Sequence, residues 1–332
     1  MTGEENNRKL YPMRFIPQEE KTEWGSVRYL LADLGYKDSV VENGWFVGNT
    51  LSELMGTYLE RVVGDEAFEY YGLQFPVMLK EILLQGRTPL LLNVDDDTAA
   101  QRYDSFGKTA AWYVRKAGKG AKIWLGFKRD LTPEAFYRRC REGSVEEVLH
   151  AVEPCDGEIF LLRPGMVYAA EGEQEILEVA ESSDLALCLH NWGMDFPEGE
   201  ESMLEEAFDL IDFRKYSTPP AGTASQDGSA VPLVSVPEFT VSSLRLDDPL
   251  RVNNGQPGSF TVYHCLSGEV SVQVPAAAGV EQSAEPCFLK KGCTLLVPAE
   301  VETFYLVPVE YGTRLLDVIV DQRTARDLYL DR

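Results

Sequence analysis

The chain has 332 residues, with 54 acidic against 31 basic side chains and a formal net charge of −23. So acidic a surface repels nucleic-acid phosphates and anionic lipid, which argues against both as partners. At 44% apolar residues the chain can bury a sizeable core, and its length allows two domains of ordinary size.

No apolar run approaches the ~18 residues of a membrane span. The opening MTGEENNRKLYP has no apolar leader core, so no signal peptide and a cytoplasmic location are expected. The six cysteines show no Cys-x-x-Cys spacing and read as reduced thiols. Three histidines in the whole chain argue against a multi-histidine metal enzyme.

In chain order, PMRFIP and TEWGSVRYLL (12–30) predict a strand and turn. Leu51, Leu54, Met55, Tyr58, Leu59 and Val62 recur at helical spacing, and Thr50 with Glu53 has the spacing of a capping box, which predicts a helix near 50–63. FPVMLKEILL (75–84) and TPLLLNV (88–94) are nearly continuous apolar runs and predict buried strands. DDDTAAQRYDSF reads as a polar connector, and AAWYVRK and AKIWLGFK as strands. Over 131–152, Thr132 is an N-cap, Pro133 fits the first helical position and Gly143 a C-terminal stop. Ser144 and Glu147 predict a second short helix there. GEIFLLRPG, EILEVAES and DLALCLHNW predict strands, and SMLEEAFDLIDF a third helix. STPPAGTASQDGSAVP, within 216–232, reads as a linker, and almost everything beyond it as strand.

Two passages echo each other. CDGEIFLLRPGMVYAA and KKGCTLLVPAEVETFYL both run turn, apolar strand, proline-containing turn, strand. Gly157 and Gly292 open the two units, and Arg163-Pro164 and Pro298 mark the bends. Two related β-barrels or sandwiches would explain the echo.

The order FPVMLKEIL, LLLNVDDDTAA, GKTAAWYV, KIWLGFK, RPGMVYAA, LHNWG resembles the class I mannose-6-phosphate isomerases of the cupin superfamily, from about residue 12 to 215 and more weakly beyond. The resemblance implies a mainly β fold of two cupin (jelly-roll) barrels with a small helical insertion. It implies a catalytic-type domain over 1–215, a linker over 216–232 and a second cupin over 233–332. It also implies interconversion of mannose 6-phosphate and fructose 6-phosphate with a bound zinc.

In that family the metal ligands are a Gln-x-His pair on one strand, a Glu in G-K-T-E-x-W-Y, and a His after a P-x-G turn. The positions matching them here are Leu91, Asn93, Ala110 and Tyr168, and the family's arginine falls on Cys188. Zinc takes nitrogen, sulfur or carboxylate donors, normally at least three from protein. Leu91 and Ala110 offer none, Asn93 offers a neutral amide, and the Tyr168 phenol ionises only near ~10. No zinc or other cofactor is therefore expected.

Lys80 and Lys108 do match the family. As sugar-phosphate groups they are candidates together with Asp96 and His190; the plainer reading of the lysines is surface salt bridges. Asp95-Asp96-Asp97 invites a magnesium or calcium site, against a solvated turn. A register shift of one would pair Asn93 with Asp95 and still leave too few ligands. His150 reads as a helical surface or packing residue and His264 as a core residue of the second barrel. Cys188 reads as a small buried hydrophobe rather than a nucleophile. Arg115, Lys116, Lys119 and Lys122 read as a solvated hairpin.

The expected function is an isomerase-like bicupin that is catalytically weak or inactive and binds sugar phosphate in a regulatory role. It could also assemble with an active relative or with copies of itself. The alternatives are a working isomerase built on other residues and a purely structural partner subunit.

Overall fold

The computed structural model describes residues 8–196, 202–217, 230–254, 258–275 and 285–320. Strands dominate and form four sheets. The chain divides into two compact units that do not follow its order. One comprises Met1–Gln18, Tyr29–Leu79 and Gly222–Arg332, the other Glu19–Arg28 and Lys80–Ala221. The division expected at 215 and 232 thus differs from this one, in which the N-terminal strand and the helices after residue 50 go with the C-terminal strands. Of the expected linker, residues 218–229 lie outside the described residues, and Val231–Ser235 is a strand.

The second unit holds a five-stranded sheet and most of a six-stranded one, of which Val77–Leu79 and Tyr29–Leu31 are counted with the first unit. A five-stranded sheet runs in the order Ala186–His190, Leu90–Asn93, Val167–Glu171, Lys122–Phe127, Leu149–Val152, all neighbours antiparallel. A six-stranded sheet contains Ile159–Leu162, Ala110–Ala117, Gln174–Glu181, Val77–Leu84, Gly25–Leu31 and Gln18–Thr22 in that order. One face of the five-stranded sheet carries Leu92, Val167, Ala169, Trp124 and Leu187. It is covered by Phe136 and Cys140 of the helix Pro133–Arg141 and by Leu204, Ala207 and Ile211. The opposite face carries Leu91, Asn93 and Tyr168, because alternate strand residues point to opposite sides.

The first unit has a seven-stranded sheet, in which Thr240–Leu246, Thr313–Ile319, Thr261–Ser267 and Thr294–Val297 are successive neighbours. The N-terminal strand Met13–Ile16 continues it, with Met13 opposite Leu296, and Val40–Val41 forms the edge beyond. A four-stranded sheet, Leu250–Asn253, Thr303–Pro308, Glu269–Gln273 and Cys287–Lys290, faces it across an apolar core that includes Leu244, Tyr263, Val270, Leu289 and Phe304. The echoing passages occupy equivalent pairs of strands, Ile159–Leu162 with Val167–Glu171 and Thr294–Val297 with Thr303–Pro308. Gly157 (φ 89°) and Gly292 (φ 78°) make the left-handed turns that open them.

The helix Leu51–Tyr58 starts on the expected capping box: Thr50 Oγ1 accepts the Glu53 N–H at 3.2 Å and Glu53 Oε2 accepts the Thr50 N–H at 3.0 Å. The helical insertion runs further than expected, through Glu60–Val63 and Asp65–Tyr71.

Three expected elements are corrected. The polar connector is a helix, Asp96–Tyr103. Asp95 caps it by accepting the Thr98 N–H at 2.8 Å, and acidic residues in its first turn and Arg102 in its last suit the helix dipole. The helix expected from Ser144 is a single 3-10 turn, Val145–Glu147, because Ser144 makes no cap bond and residues 149–152 are drawn into a sheet edge, so His150 sits on a strand. Residues 202–213 form turns rather than a helix. Their apolar spacing is helical, but the N–H groups of Met203 and Asp212 bond to Cys188 O and Gly165 O instead of closing helical turns.

Asp33, in the first unit, accepts the Phe75 N–H at 2.9 Å, and burial pushes its carboxyl up to about 6. The folded value exceeds the ordinary 3.8, so this residue's contribution to stability is full below that value and is lost as pH rises through 6. Asp33→Asn is expected to flatten the fall in melting temperature between about pH 4 and pH 6, read by thermal melts across that window.

Candidate functional site

A strand buried on both faces cannot hold a lone charge cheaply, so the two lysines that interrupt such runs must find carboxylates. Lys80, on Val77–Leu84, places Nζ 2.6 Å from Asp184 Oδ1 and 3.2 Å from Glu178 Oε1. Lys108, just before Ala110–Ala117, places Nζ 3.2 Å from the same Glu178 oxygen and 3.8 Å from Asp184 Oδ1. The second Glu178 oxygen accepts the Trp112 indole N–H at 2.6 Å. Lys108, Glu178 and Trp112 are all buried; Lys80 and Asp184 carry the cluster towards the surface, with side chains 11% and 18% exposed.

Burial alone would raise the Glu178 carboxyl, but Lys108, Lys80 and the Trp112 N–H outweigh it and hold it at about 2. Burial pulls the Lys108 ammonium down, against the support of Glu178, with Lys80 adding like-charge repulsion. Two ammonium groups and two carboxylates make the cluster electrically balanced.

Gly107 sets the position of Lys108. Its N–H donates to Asp96 Oδ1 at 2.8 Å, and a Cβ at residue 107 would lie 2.5 Å from the Asp96 nitrogen and 2.6 Å from the Asp95 carbonyl carbon. The Lys108 N–H then donates to Val94 O at 2.9 Å. Asp96 therefore holds the backbone of the Gly107 turn, and the Asp95–Asp97 run caps and opens a helix.

Of the four positions that the resemblance matches to metal ligands, Leu91, Asn93 and Tyr168 share one face of the five-stranded sheet. Tyr168 stands opposite Leu91 on the neighbouring strand, and Cys188 stands opposite Leu91 on the other side. The Tyr168 hydroxyl donates to Asn93 Oδ1 at 2.8 Å, and both residues are fully buried. Desolvation raises the phenol far above its usual range, and Glu178 adds to this. The Tyr168 ring meets the Trp112 ring edge-on at 5.4 Å, which joins the two sheets. Ala110 lies two residues from Trp112 on the same face, fully buried. Among the described residues no three His, Cys, Asp or Glu side chains are grouped so as to hold a metal ion.

His190 does not join this cluster. Its Nδ1 accepts the Trp192 N–H at 2.9 Å and its ring packs edge-on against Trp192. Desolvation lowers its pKa, and Arg87 lowers it further against a hydrogen bond to the Cys140 backbone, on the helix-covered side. Lys80 and Lys108 are buried rather than surface residues. Arg115 is no part of a solvated hairpin: with Arg28 (2.6 Å) it clasps Glu81, which is 4% exposed. The reading from sequence missed Glu178, Asp184 and Trp112. The signal for Glu178 was present, since it shares a buried strand face with Ile176 and Ala180 and needed a cationic partner there.

Two facing antiparallel sheets enclosing inward polar groups, repeated in each unit, define a two-barrel cupin protein. Comparison with solved structures supports this: the crystal structure of mannose 6-phosphate isomerase from Bacillus subtilis has a TM-score of 0.80 at 17% identity, covering 93% of this chain and 99% of that one. A zinc-bound mannose 6-phosphate isomerase has a TM-score of 0.72 at 12% identity, covering 93% and 99%.

In sequence the chain is 25% identical over 269 residues to mannose-6-phosphate isomerase of Streptococcus mutans, 80% of each chain. It is 25% identical over 321 residues to ManA of Bacillus subtilis, 89% of this chain and 95% of that one. No protein-family model matches the chain. In both sequence and fold, then, the chain is similar to mannose-6-phosphate isomerases.

Two outcomes follow. Glu178→Gln takes from the buried Lys108 ammonium its 3.2 Å carboxylate partner, leaving Asp184 at 3.8 Å, and is expected to cost about 3–5 kcal/mol, read by denaturant unfolding. In the unmutated chain this contribution is present above the ordinary carboxyl value of 4.5 and is lost as pH falls through about 2. Gly107→Ala has no room at the Asp95–Asp96 backbone, and a melting temperature within a degree of the parent would contradict the packing described.

Proposed function

We propose that this chain is a mannose-6-phosphate isomerase-like bicupin protein of hexose-phosphate metabolism that holds no zinc in its first barrel. It is catalytically weak or inactive and serves as a sugar-phosphate-binding or regulatory protein. The observation that carries this reading is the Tyr168–Asn93 hydrogen bond, which fills the interior where the resemblance puts two metal ligands. Around it stand Leu91 and Ala110, which have no donor atom. The Asn93 amide oxygen is already engaged, and the phenol is held protonated. Such a donor set does not fit zinc.

Aldose–ketose isomerisation develops an enediolate charge that needs a preorganised positive partner, and losing one such partner costs on the order of 10²–10³ in rate. The two lysines would have to supply it, and both are neutralised by Glu178 and Asp184. A phosphate would reach Lys80 first, at the rim, by displacing Asp184. Asn93 Nδ2, buried and with no hydrogen-bond partner among the described residues, suits an oxygen acceptor on a bound sugar.

A second reading, a working isomerase, has one observation in its favour. Lys108 has a lowered pKa beside a carboxylate, as acid–base residues often do. Lys108→Met, assayed on protein shown by circular dichroism to be folded, separates the two readings by turnover alone, because it abolishes the rate of a working isomerase and leaves a negligible rate negligible.

Elemental analysis of protein purified without chelators is expected to return far less than one zinc per chain. Mannose 6-phosphate is expected to raise the melting temperature, by the equivalent of about 2.7 kcal/mol at a hundred times its Kd, with little or no conversion to fructose 6-phosphate. One zinc per chain together with turnover that a chelator stops would overturn the proposal.

A further inference from the structure

The core of the first unit opens to the surface at one point, in a half-open pocket. A cavity of about 330 Å³ is lined by the strands Thr240–Leu246, Leu250–Asn253, Thr261–Ser267 and Thr313–Ile319 and the chain around Ser259. Its walls are largely apolar, with Leu244, Leu250, Val252 and Phe260, and its volume is at the low end of the ~300–1,000 Å³ of small-molecule sites.

Polar groups break this lining at two buried points. Asp317, 8% exposed, stands opposite Ser242 on one neighbouring strand and Tyr263 on the other. Ser242 hydrogen-bonds the carboxyl, but Oδ1 has no partner among the described residues. Ser259, 1% exposed, has an Oγ that also lacks one. Burial pushes the Asp317 carboxyl up to about 7, so near neutrality it both donates and accepts hydrogen bonds. Asn254, also in the lining, is already satisfied, donating to Pro298 O and accepting from the Thr261 hydroxyl.

Leaving two such atoms unsatisfied in an apolar wall costs stability in the free protein, and a ligand with hydroxyl groups would remove that cost. We propose that this second cavity is a binding site for a small neutral polyhydroxylated molecule of monosaccharide size, whose hydroxyl groups bond to Asp317 and Ser259. A phosphate is disfavoured beside Asp317, and the one cationic side chain of the lining, Arg251, is exposed at the rim.

The test uses ligand-observed saturation-transfer NMR on the full chain with D-mannose, D-fructose and D-mannitol, each titrated alone. At least one is expected to give a saturable signal. Asp317→Leu, which fills the space with an apolar side chain, is expected to weaken it tenfold or more and to raise the melting temperature. Ser259→Ala, too small a change to disturb the fold, is expected to weaken it several-fold. Lys108→Met, in the other unit, is expected to leave it intact, which separates this site from the one under Proposed function. The inference fails if none of the three compounds binds. It fails equally if binding survives both Asp317→Leu and Ser259→Ala, or if it falls with Lys108→Met alone.

Discussion

One carboxylate, Glu178, carries the electrostatics of the first barrel. It sits between two buried ammonium groups and under an indole N–H; Lys108 and the indole rely on it, and Lys80 shares it with Asp184. Taking an ion out of water costs several kcal/mol, and only close opposite charges and hydrogen bonds offset that. The result ties together three neighbouring segments of chain: Val77–Leu84 through Lys80, Gln174–Glu181 through Glu178, and the start of Ala110–Ala117 through Lys108 and Trp112. A second, neutral link crosses between the sheets, from Trp112 to the Tyr168 ring and from Tyr168 to Asn93. Both sheets are therefore held by groups that the chain itself supplies.

The two barrels solve the same packing problem differently. The first keeps charge inside and balances it. The second is lined mainly by leucine and valine, and its strongly shifted carboxyl Asp317 has no cation acting on it among the described residues. A carboxyl in that situation lowers its cost by taking up a proton, whereas Glu178 remains ionised because its partners are cations.

Much of the fold was legible because it rests on local rules. The alternation of apolar runs with glycine and proline turns gave the strands, and Thr50 with Glu53 gave the first helix cap. The Asp96–Tyr103 helix was misread because it buries little beyond Ala99, although its Asp95 cap was in plain view. Residues 202–213 were misread for the opposite reason: their apolar spacing is helical, but distant carbonyls claim the backbone donors. In the site, Lys80 and Lys108 could be picked out from the motif they share with a known family. Their partners could not, because Glu178 and Asp184 are some 70 or more residues further along, and only the sheet order brings them near. LHNWG puts His190 two residues after Cys188, but a register shift between the two turns His190 to the helix-covered side.

The strand Met13–Ile16 pairs with Thr294–Val297, nearly the whole length of the chain away. That sheet therefore cannot be completed during synthesis until residue 297 has been made. Until then the early strand has to wait without its partner, and loop closure over such a distance slows the step that joins them. A protein dissected between residues 217 and 230 would not yield an independent second half: the C-terminal piece would leave Thr294–Val297 as a bare sheet edge, open to pairing with other chains.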